Sequence, residues 1–333
     1  MRVTGFGDYM MHFSPPGDER FWQANSMNLS FTGAEVNVCS ALAYWGEEVS
    51  YVTRLPENVL AKRAVASLRS LGIHTEHIAW GGERMGVYFL EKGASVRSSQ
   101  VIYDRKFSSF CEATEEHFDI PAILDGTDVL FFTGITCALT ENLRRCVLTL
   151  CREAKARGIA VVMDVNYRPT LSSPEEAGAV LRELAPYLSC LIGNEEHLKQ
   201  LLALTPPDKE DRAERLAALA DLVRAELSID RLAITVRRTL SASDAIIYAA
   251  YANGPEFALS REYQMHVVDR VGSGDAFSAG LLYAAAHGFS AKEAVEFGAA
   301  SNAIKHTVLN DINYVTVDEV KSVMKGGRID VRR

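Results

Sequence analysis

The chain has 333 residues, and with 48% hydrophobic and 23% charged residues its composition excludes a mostly disordered protein. Asp and Glu outnumber Lys and Arg by 43 to 35, so the formal net charge is −8 and we expect no general binding of nucleic acid or anionic membranes. No segment reaches the roughly 18 uncharged apolar residues that a membrane span requires, so we expect no membrane-spanning segment.

The N-terminal segment contains no apolar signal core and carries Asp8 early, which predicts a cytoplasmic protein. The six cysteines show no Cys-x-x-Cys pair and no spacing typical of metal ligands. We therefore expect reduced, mostly buried thiols, as in a reducing compartment.

The first candidate motif opens a helix. Gly33 begins a helical segment that Gly46 ends, and we expect an amphipathic helix with Val38, Leu42 and Trp45 on one side. A glycine at a helix start, with Asn37 one turn further on, can present N–H groups and an amide to a polyol. A plain helix start is the alternative.

Two segments, at about 9–32 and 83–110, differ from the rest of the chain. Residues 87–91 and 100–105 are short strand candidates with no helix between them. They predict a small antiparallel sheet that projects from the main body and serves as a lid over an active site. Edge strands of the main sheet are the alternative.

From about residue 128, strand-like runs alternate with helical periods. The predicted strands cover 129–133, 159–163, 190–192 and 232–236, and the predicted helices cover 140–157, 174–187, 195–204 and 210–227. This alternation indicates an α/β fold with a mostly parallel sheet covered by helices on both faces. Such folds place ligands at the carboxyl ends of the strands, where Asp164, Asn166 and Arg168 follow a predicted strand. Arg168 can bind a phosphate or carboxylate, and a surface salt bridge is its alternative.

The strongest local pattern is late in the chain. An apolar pair precedes the turn Gly272-Ser273-Gly274, and Asp275 then begins a small-residue helix. Glycines allow a ligand to approach closely, and free N–H groups at a helix start bind anions. Asp275 could take a proton from a hydroxyl while these N–H groups hold a phosphate, or it could merely cap the helix. The same Gly-x-Gly-Asp spacing occurs at residues 5–8, but no small-residue helix follows it.

Together, the motifs at 33–46 and 269–288 resemble those of the ribokinase-like (PfkB) carbohydrate kinases, in the expected order and distance. The resemblance covers nearly the whole chain and implies one domain over 1–333. Its expected fold is a ribokinase-like three-layer sandwich with a mostly parallel central sheet and a small antiparallel β lid. The implied activity is ATP-dependent sugar phosphorylation with Mg²⁺. Residues 84–91, 101–105, 133–136 and 164–168 are most similar to kinases of 2-keto-3-deoxygluconate, which implies its terminal hydroxyl as the acceptor.

Site roles follow from this resemblance. Asp275 is the implied general base, and the N–H groups of Gly272, Ser273 and Gly274 form the implied anion hole. The implied acceptor-site residues are Gly33, Tyr88, Tyr103, Arg105, Arg168 and Asp311. The implied nucleotide-side residues are Asn166, Asn194, Thr235, Arg237 and Arg238. Tyr103 and Arg105 lie two apart on a strand and therefore share a face, which suits a keto-acid carboxylate. We also expect a homo-oligomer formed through the lid edges.

The chain departs from the family pattern in places. His197 stands where the family motif Asn-x-x-Glu has its Glu, so the metal ligands stay open. The nucleotide loop at 237–245 contains no glycine, and Arg237 and Arg238 could supply phosphate-binding charge there or be surface residues. A kinase for another sugar such as fructose, or a non-catalytic sugar-binding pseudo-kinase, are the alternative functions.

Overall fold

A computed structural model describes residues 1–326, so the last part of the expected 1–333 domain, residues 327–333, lies outside the described residues. The strands are β1 (Arg2–Phe6), β2 (Met10–Ser14), β3 (Asn28–Thr32), β4 (Glu48–Val52), β5 (Arg54–Leu55), β6 (Ala79–Trp80), β7 (Val87–Glu91), β8 (Gln100–Asp104), β9 (Val129–Thr133), β10 (Ala160–Asp164), β11 (Cys190–Asn194), β12 (Arg231–Thr239), β13 (Asp244–Asn253), β14 (Glu256–Leu259) and β15 (Tyr263–His266). The α-helices are α1 (Ala34–Tyr44), α2 (Val59–Ser70), α3 (Ile120–Ile123), α4 (Gly134–Leu139), α5 (Glu141–Ala156), α6 (Pro174–Leu184), α7 (Glu195–Leu201), α8 (Arg212–Leu227), α9 (Ser273–Ala286), α10 (Ala291–Lys305) and α11 (Val317–Met324).

Within residues 1–326 the largest sheet has nine strands, in the order β14-β13-β12-β11-β10-β9-β1-β4, with β15 also paired to β13. The pairings from β4 to β12 are parallel, and those of β13 with β12, β14 and β15 are antiparallel. The predicted α/β fold with a mostly parallel sheet is therefore confirmed.

Helices cover both faces of this sheet. Strand β9 is buried at every position, and its side chains alternate between two hydrophobic clusters, Phe131 in one and Leu130 and Phe132 in the other. One cluster is built with α1, α2, α9 and α10, and the other with α5, α6, α7 and α8. Each cluster forms the packing layer between the sheet and one set of helices.

Helix α1 differs from its prediction. It is buried on all sides from Glu35 to Leu42 rather than amphipathic, because it packs against both the sheet and α9. Helices α9 and α10 also approach closely, since a Cβ on Gly280 would lie 2.9 Å from the Cα of Gly298. Helix α9, which carries the late motif, therefore sits in a tightly packed layer.

A separate four-stranded sheet, in the order β3-β2-β7-β8, lies within the two segments 9–32 and 83–110. None of its strands pairs with the main sheet, so the alternative of edge strands is wrong. The β2–β3 and β7–β8 pairings are antiparallel, and β2–β7 is parallel. A parallel pairing is possible here because the chain passes through α1, β4 and α2 before it returns as β7.

Across residues 1–326, every helix is too short or too polar to span a lipid bilayer. All six cysteines are free, and all but the half-buried Cys111 are buried. The prediction of unpaired, mostly buried thiols is therefore confirmed.

Candidate active site

A cavity of about 460 Å³ lies between the four-stranded sheet and the carboxyl edge of the main sheet. It brings together all but one of the site residues predicted from the sequence. They are Gly33, Tyr88, Tyr103, Arg105, Asn166, Arg168, Asn194, Thr235, Arg237, Gly272, Ser273, Gly274, Asp275 and Asp311. Residues separated by more than 200 positions in the chain thus line one space.

Arg238 is the residue that the structure does not bring to the cavity. It is exposed, whereas its neighbour Arg237 is half-buried and lines the cavity. Both lie on β12, where successive side chains point to opposite faces of the sheet, so the two arginines cannot share one site. The prediction that Arg238 faces the nucleotide is corrected for this reason.

The turn before α9 has the geometry expected of an anion site. Gly272 caps the helix with φ +73°, a left-handed conformation that favours glycine. A Cβ there would also lie 2.2 Å from the carbonyl oxygen of Asp311, whereas one on Gly274 would meet open space. The first N–H groups of α9 lack intrahelical acceptors and carry partial positive charge at this open surface. Among them, the N–H of Ser273 donates a long bond of 3.4 Å to the carbonyl oxygen of Arg270.

Asp275 lies inside the first turn of α9 and is not its cap. Its Oδ2 accepts a hydrogen bond of 2.7 Å from Nδ2 of Asn37. Burial raises the pKa of Asp275 to about 7, with a contribution from the neighbouring carboxylate of Asp164, although the Asn37 bond lowers it. A carboxyl group with a pKa near neutrality is suited to accept a proton from a bound hydroxyl.

The sequence suggested that the amide of Asn37 faces a polyol, but in the structure this amide bonds to other side chains. Its Oδ1 accepts a bond of 2.8 Å from the hydroxyl of Thr32, and its Nδ2 binds Asp275. The amide is therefore held at both ends and orients the Asp275 carboxylate. Gly33 permits this arrangement, because a Cβ at that position would lie 2.0 Å from the carbonyl oxygen of Asp8.

The lid side of the cavity carries an incompletely paired arginine. The guanidinium carbon of Arg105 lies 4.4 Å from the centre of the Tyr103 ring. Its Nη1 lies 4.0 Å from Oδ2 of Asp8, and its buried Nε has no hydrogen-bond partner among the described residues. Burial raises the pKa of Asp8 to about 6, while Arg105 lowers it. Asp8 belongs to the early Gly-x-Gly-Asp pattern, and sequence reasoning missed it.

Asp311 contacts the two central strands of the four-stranded sheet, β2 and β7, where it anchors another aromatic side chain. One carboxylate oxygen accepts a bond from the Tyr88 hydroxyl, and the other lies 2.7 Å from Nδ1 of His12. Burial raises the pKa of Asp311, but the bonds from His12 and Tyr88 hold it below its usual range. Because both oxygens are engaged, Asp311 positions Tyr88 beside the cavity.

Three residues singled out from the sequence, Asp164, Asn166 and Arg168, lie at or just after the carboxyl end of β10. Asp164 accepts bonds from the N–H of Asn166 (3.0 Å) and the hydroxyl of Ser278 (2.8 Å), and burial raises its pKa to about 6. Arg168 lines the cavity and has no carboxylate within ion-pair distance among residues 1–326, so the alternative of a surface salt bridge is not observed.

The far end of the cavity is cationic. Arg237 has an Nε and an Nη2 without hydrogen-bond partners in the described part of the chain, and burial together with repulsion from Arg270 lowers its pKa to about 10. Asn302 and His306 also line this end, each with an unpartnered buried polar atom. These two residues gave no recognisable signal in the sequence. The unpaired N–H donors of Arg237 suit a polyanionic ligand such as a nucleotide, and the unpartnered Oδ1 of Asn302 is an acceptor.

The family model for pfkB family carbohydrate kinases matches residues 2–316. The chain belongs to this family. It is an ATP-dependent carbohydrate kinase that uses Mg²⁺, as the motifs predicted.

Several named carbohydrate kinases are similar to this chain over most of its length. The crystal structure of 2-dehydro-3-deoxygluconokinase from Thermotoga maritima superposes with a TM-score of 0.94 at 36% identity, covering 98% of this chain and 100% of that one. The 2-dehydro-3-deoxygalactonokinase of Haloferax volcanii is 29% identical over 99% of both chains. The 5-dehydro-2-deoxygluconokinase of Shouchella clausii is 25% identical over 88% of this chain and 86% of its own length.

The kinase cavity fits a magnesium ion that arrives with the nucleotide. No cluster of three His, Cys, Asp or Glu that could hold a metal occurs in residues 1–326. Glu195 is ion-paired with Lys199 and Arg215, and Glu196 is also paired with Lys199. His197 packs edge-on against Tyr167, so this part of the motif offers no free carboxylate. Mg²⁺ keeps several waters and needs only one or two carboxylates beside phosphate oxygens. Asp164 in the cavity wall would hold such an ion, which when bound neutralises phosphate charge.

The β7–β8 hairpin of the four-stranded sheet is attached at its tip to the loop between β12 and β13. The N–H of Ala242 donates to the carbonyl of Ser95 (2.7 Å), and the N–H of Ser95 donates to the hydroxyl of Ser243 (2.9 Å). Lys92 forms an ion pair of 2.9 Å with Asp269, just before the Gly272 turn. The hairpin between β7 and β8 thus contacts both the loop after β12 and the segment before the Gly272 turn.

Proposed function

We propose that this kinase transfers the terminal phosphoryl group of ATP to the terminal hydroxyl of 2-keto-3-deoxy-D-gluconate, giving 2-keto-3-deoxy-6-phosphogluconate and ADP. The observation that supports this most is the content of one cavity. It holds a buried carboxyl group of near-neutral pKa beside a helix N-terminus, and a buried guanidinium that lacks a full set of partners. The first feature suits phosphoryl transfer, and the second suits an acidic acceptor.

The proposed reaction uses Asp275 as the general base. Its carboxylate takes the proton of the acceptor hydroxyl, the hydroxyl oxygen forms a bond to the terminal phosphorus, and the bond from phosphorus to the bridging oxygen of ADP breaks. The N–H groups of Gly272, Ser273 and Gly274 stabilise the negative charge on the transferred group. Asn37 keeps the Asp275 carboxylate oriented, as its 2.7 Å bond indicates.

The acceptor is proposed to bind through its carboxylate. Arg105 is almost fully buried and its Nε lacks a partner, so a carboxylate placed there satisfies a donor that is costly to leave unpaired. A neutral sugar offers no charge to match this guanidinium. The named substrates of the three relatives are all keto-deoxy sugar acids, which supports an acid in the same place.

An ADP-release assay over several acceptors tests this proposal. The panel contains 2-keto-3-deoxygluconate, its galacto epimer, 5-keto-2-deoxygluconate and fructose, each with ATP and Mg²⁺. We expect the highest kcat/KM with 2-keto-3-deoxygluconate. Higher kcat/KM with fructose would contradict the acid proposal, and sugar binding without turnover on any acceptor would favour the pseudo-kinase alternative.

The pH dependence of the reaction follows from Asp275. Because burial raises its pKa to about 7, the carboxyl group is protonated and inactive as a base below that pH. We expect kcat/KM to fall about tenfold for each pH unit below 7 and to level off above it. Initial rates between pH 5.5 and 8.5 measure this profile, and a rate that stays constant down to pH 5.5 would contradict the assignment.

We propose that segments 9–32 and 83–110 act together as a lid sub-domain of one kinase domain, and that a second copy of the chain covers its edge. Strand β8 is exposed at every position, including Val101, Ile102 and Tyr103, and its outer edge is unpaired within the described chain. We expect a dimer in analytical ultracentrifugation and a shift toward monomer for Ile102→Lys. A monomeric native protein at micromolar concentration would contradict this assembly.

We also propose a cytoplasmic location. ATP is the phosphoryl donor, and six free cysteines suit a reducing compartment. Fractionation of the cells that make the protein tests this location, and we expect the kinase in the cytoplasmic fraction.

A further inference from the structure

Lys305 is a charged residue that none of the roles above explains. It is the last residue of α10, and its side chain is among the largest in the described chain to be fully buried. Burying an ammonium group is costly unless hydrogen bonds and opposite charges compensate for it. Its surroundings therefore indicate what it does.

Two backbone carbonyls receive the Lys305 ammonium group. Its Nζ donates to the carbonyl oxygen of Asn310 at 2.6 Å and to that of Val308 at 3.1 Å. Burial lowers the pKa of Lys305, while the carboxylates of Asp269 and Asp311 raise it. The carbonyl groups of the loop that follows α10 thus surround the buried ammonium group, which holds the loop in place.

The same loop is bonded to the segment that leads into the Gly272 turn. The N–H of Asn310 donates to Oδ2 of Asp269 (3.0 Å), and the N–H groups of Val268 and Asp269 donate to the carbonyl of His306 (2.8 and 3.1 Å). These bonds join the segment that leads into the Gly272 turn to the residues that follow Lys305.

The loop then reaches the turn itself. The Asp311 carbonyl oxygen occupies the space in which a Cβ on Gly272 would lie, at 2.2 Å. The Asp311 carboxylate holds the hydroxyl of Tyr88. The backbone that Lys305 organises is therefore in contact with both the turn and an aromatic residue of the lid.

We propose that Lys305 is a positioning residue for phosphoryl transfer, which fixes the 308–311 loop against Gly272 and so keeps the first N–H groups of α9 aligned. This inference rests on the proposed role of Gly272, Ser273 and Gly274 as the anion hole. Aligned donors are effective because they need no reorganisation as charge develops on the transferred group. Lys305 itself does not line the cavity.

Two substitutions test the role of Lys305. Lys305→Met keeps the length of the side chain and removes its charge and donors. We expect kcat to fall about tenfold to a hundredfold, with KM for ATP and the acceptor changed less than about threefold. Lys305→Ala leaves a space lined by carbonyl oxygens, and we expect added ammonium or methylammonium chloride to restore part of its kcat, whereas equal sodium chloride does not.

Lys292 provides a matched control. It lies on the same helix with an exposed side chain paired to Glu296, and Lys292→Met should leave kcat and its response to ammonium unchanged. Circular dichroism and thermal melting establish that each variant is folded. If Lys305→Met does not fold, Lys305→Ala purified in ammonium chloride is assayed instead, with kcat measured against ammonium concentration.

The outcomes separate this inference from the proposed function. An unchanged kcat in Lys305→Met would overturn the inference, as would a loss of stability with no response of Lys305→Ala to ammonium, which would assign a merely structural role. In either case the wild-type activity and an inactive Asp275→Asn variant would leave the proposed function standing. A fully active Asp275→Asn variant would instead remove the proposed base, whatever Lys305 does.

Discussion

Asp275→Asn is expected to lower kcat by about two to four orders of magnitude, the usual contribution of a positioned general base. The substitution keeps the size of the side chain and removes the group that takes the hydroxyl proton. Binding of ATP and the acceptor should change little, because the cavity walls and Arg105 stay in place. Steady-state kinetics and calorimetric titration measure the two effects separately.

Stability provides the control for Asp275→Asn. The folded protein raises the pKa of this carboxyl group to about 7, so above its ordinary value of 3.8 the ionised group opposes folding. Replacing it with a neutral amide removes that cost, and we expect the melting temperature at pH 8 to be equal or higher. A variant that melts at the native temperature and retains near-native kcat would show that Asp275 is not the base.

Arg105→Met is expected to raise KM for the sugar acid about tenfold to a hundredfold, the range of a lost charge-assisted hydrogen bond. KM for fructose, measured at high enzyme concentration, should change by less than about threefold, because a neutral acceptor gains little from the guanidinium. Methionine preserves the apolar stem that packs on Tyr103. The measurement is the ratio between the fold-change in KM for the sugar acid and the fold-change in KM for fructose.

Arg84 supplies a control on the same lid. It is also an arginine, but its guanidinium pairs with Asp104 and the residue does not line the cavity. Arg84→Met should leave both KM values near native. If Arg105→Met raises KM equally for the acid and for fructose, the arginine supports the lid rather than the carboxylate, and the acid proposal loses its main support.

Much of the fold was predictable because the local patterns agree with the tertiary structure. The strand predicted at 129–133 is β9 without change, since five apolar or β-branched residues suit a strand buried on both faces. Helix α5 begins after Thr140, whose hydroxyl accepts the N–H of Leu143, and Gly158 follows its end. The helix predicted at 174–187 ends earlier, at Leu184, where a short 3-10 turn containing Pro186 follows.

The site was predictable only where residues form a pattern along the chain. Asp8 lies in such a pattern, but what brings it to the cavity is the packing of Gly33 on its carbonyl, a contact between distant segments. Glu35 is another example, because its carboxylate accepts bonds from Thr133 and Thr136 about a hundred residues later. Neither contact leaves a signal in the spacing of nearby residues.

The attachment of the β7–β8 hairpin to the loop after β12 would link the proposed acceptor and nucleotide sites thermodynamically. The hydrogen bonds of Ser95 with Ala242 and Ser243 join the hairpin that leads to Tyr103 and Arg105 to the loop that follows Thr235 and Arg237. If ATP favours the arrangement in which these bonds form, it must tighten acceptor binding, and the acceptor must tighten ATP binding by the same factor. Cooperativity between the acceptor and the nucleotide would thus be carried in part by a short strip of main chain.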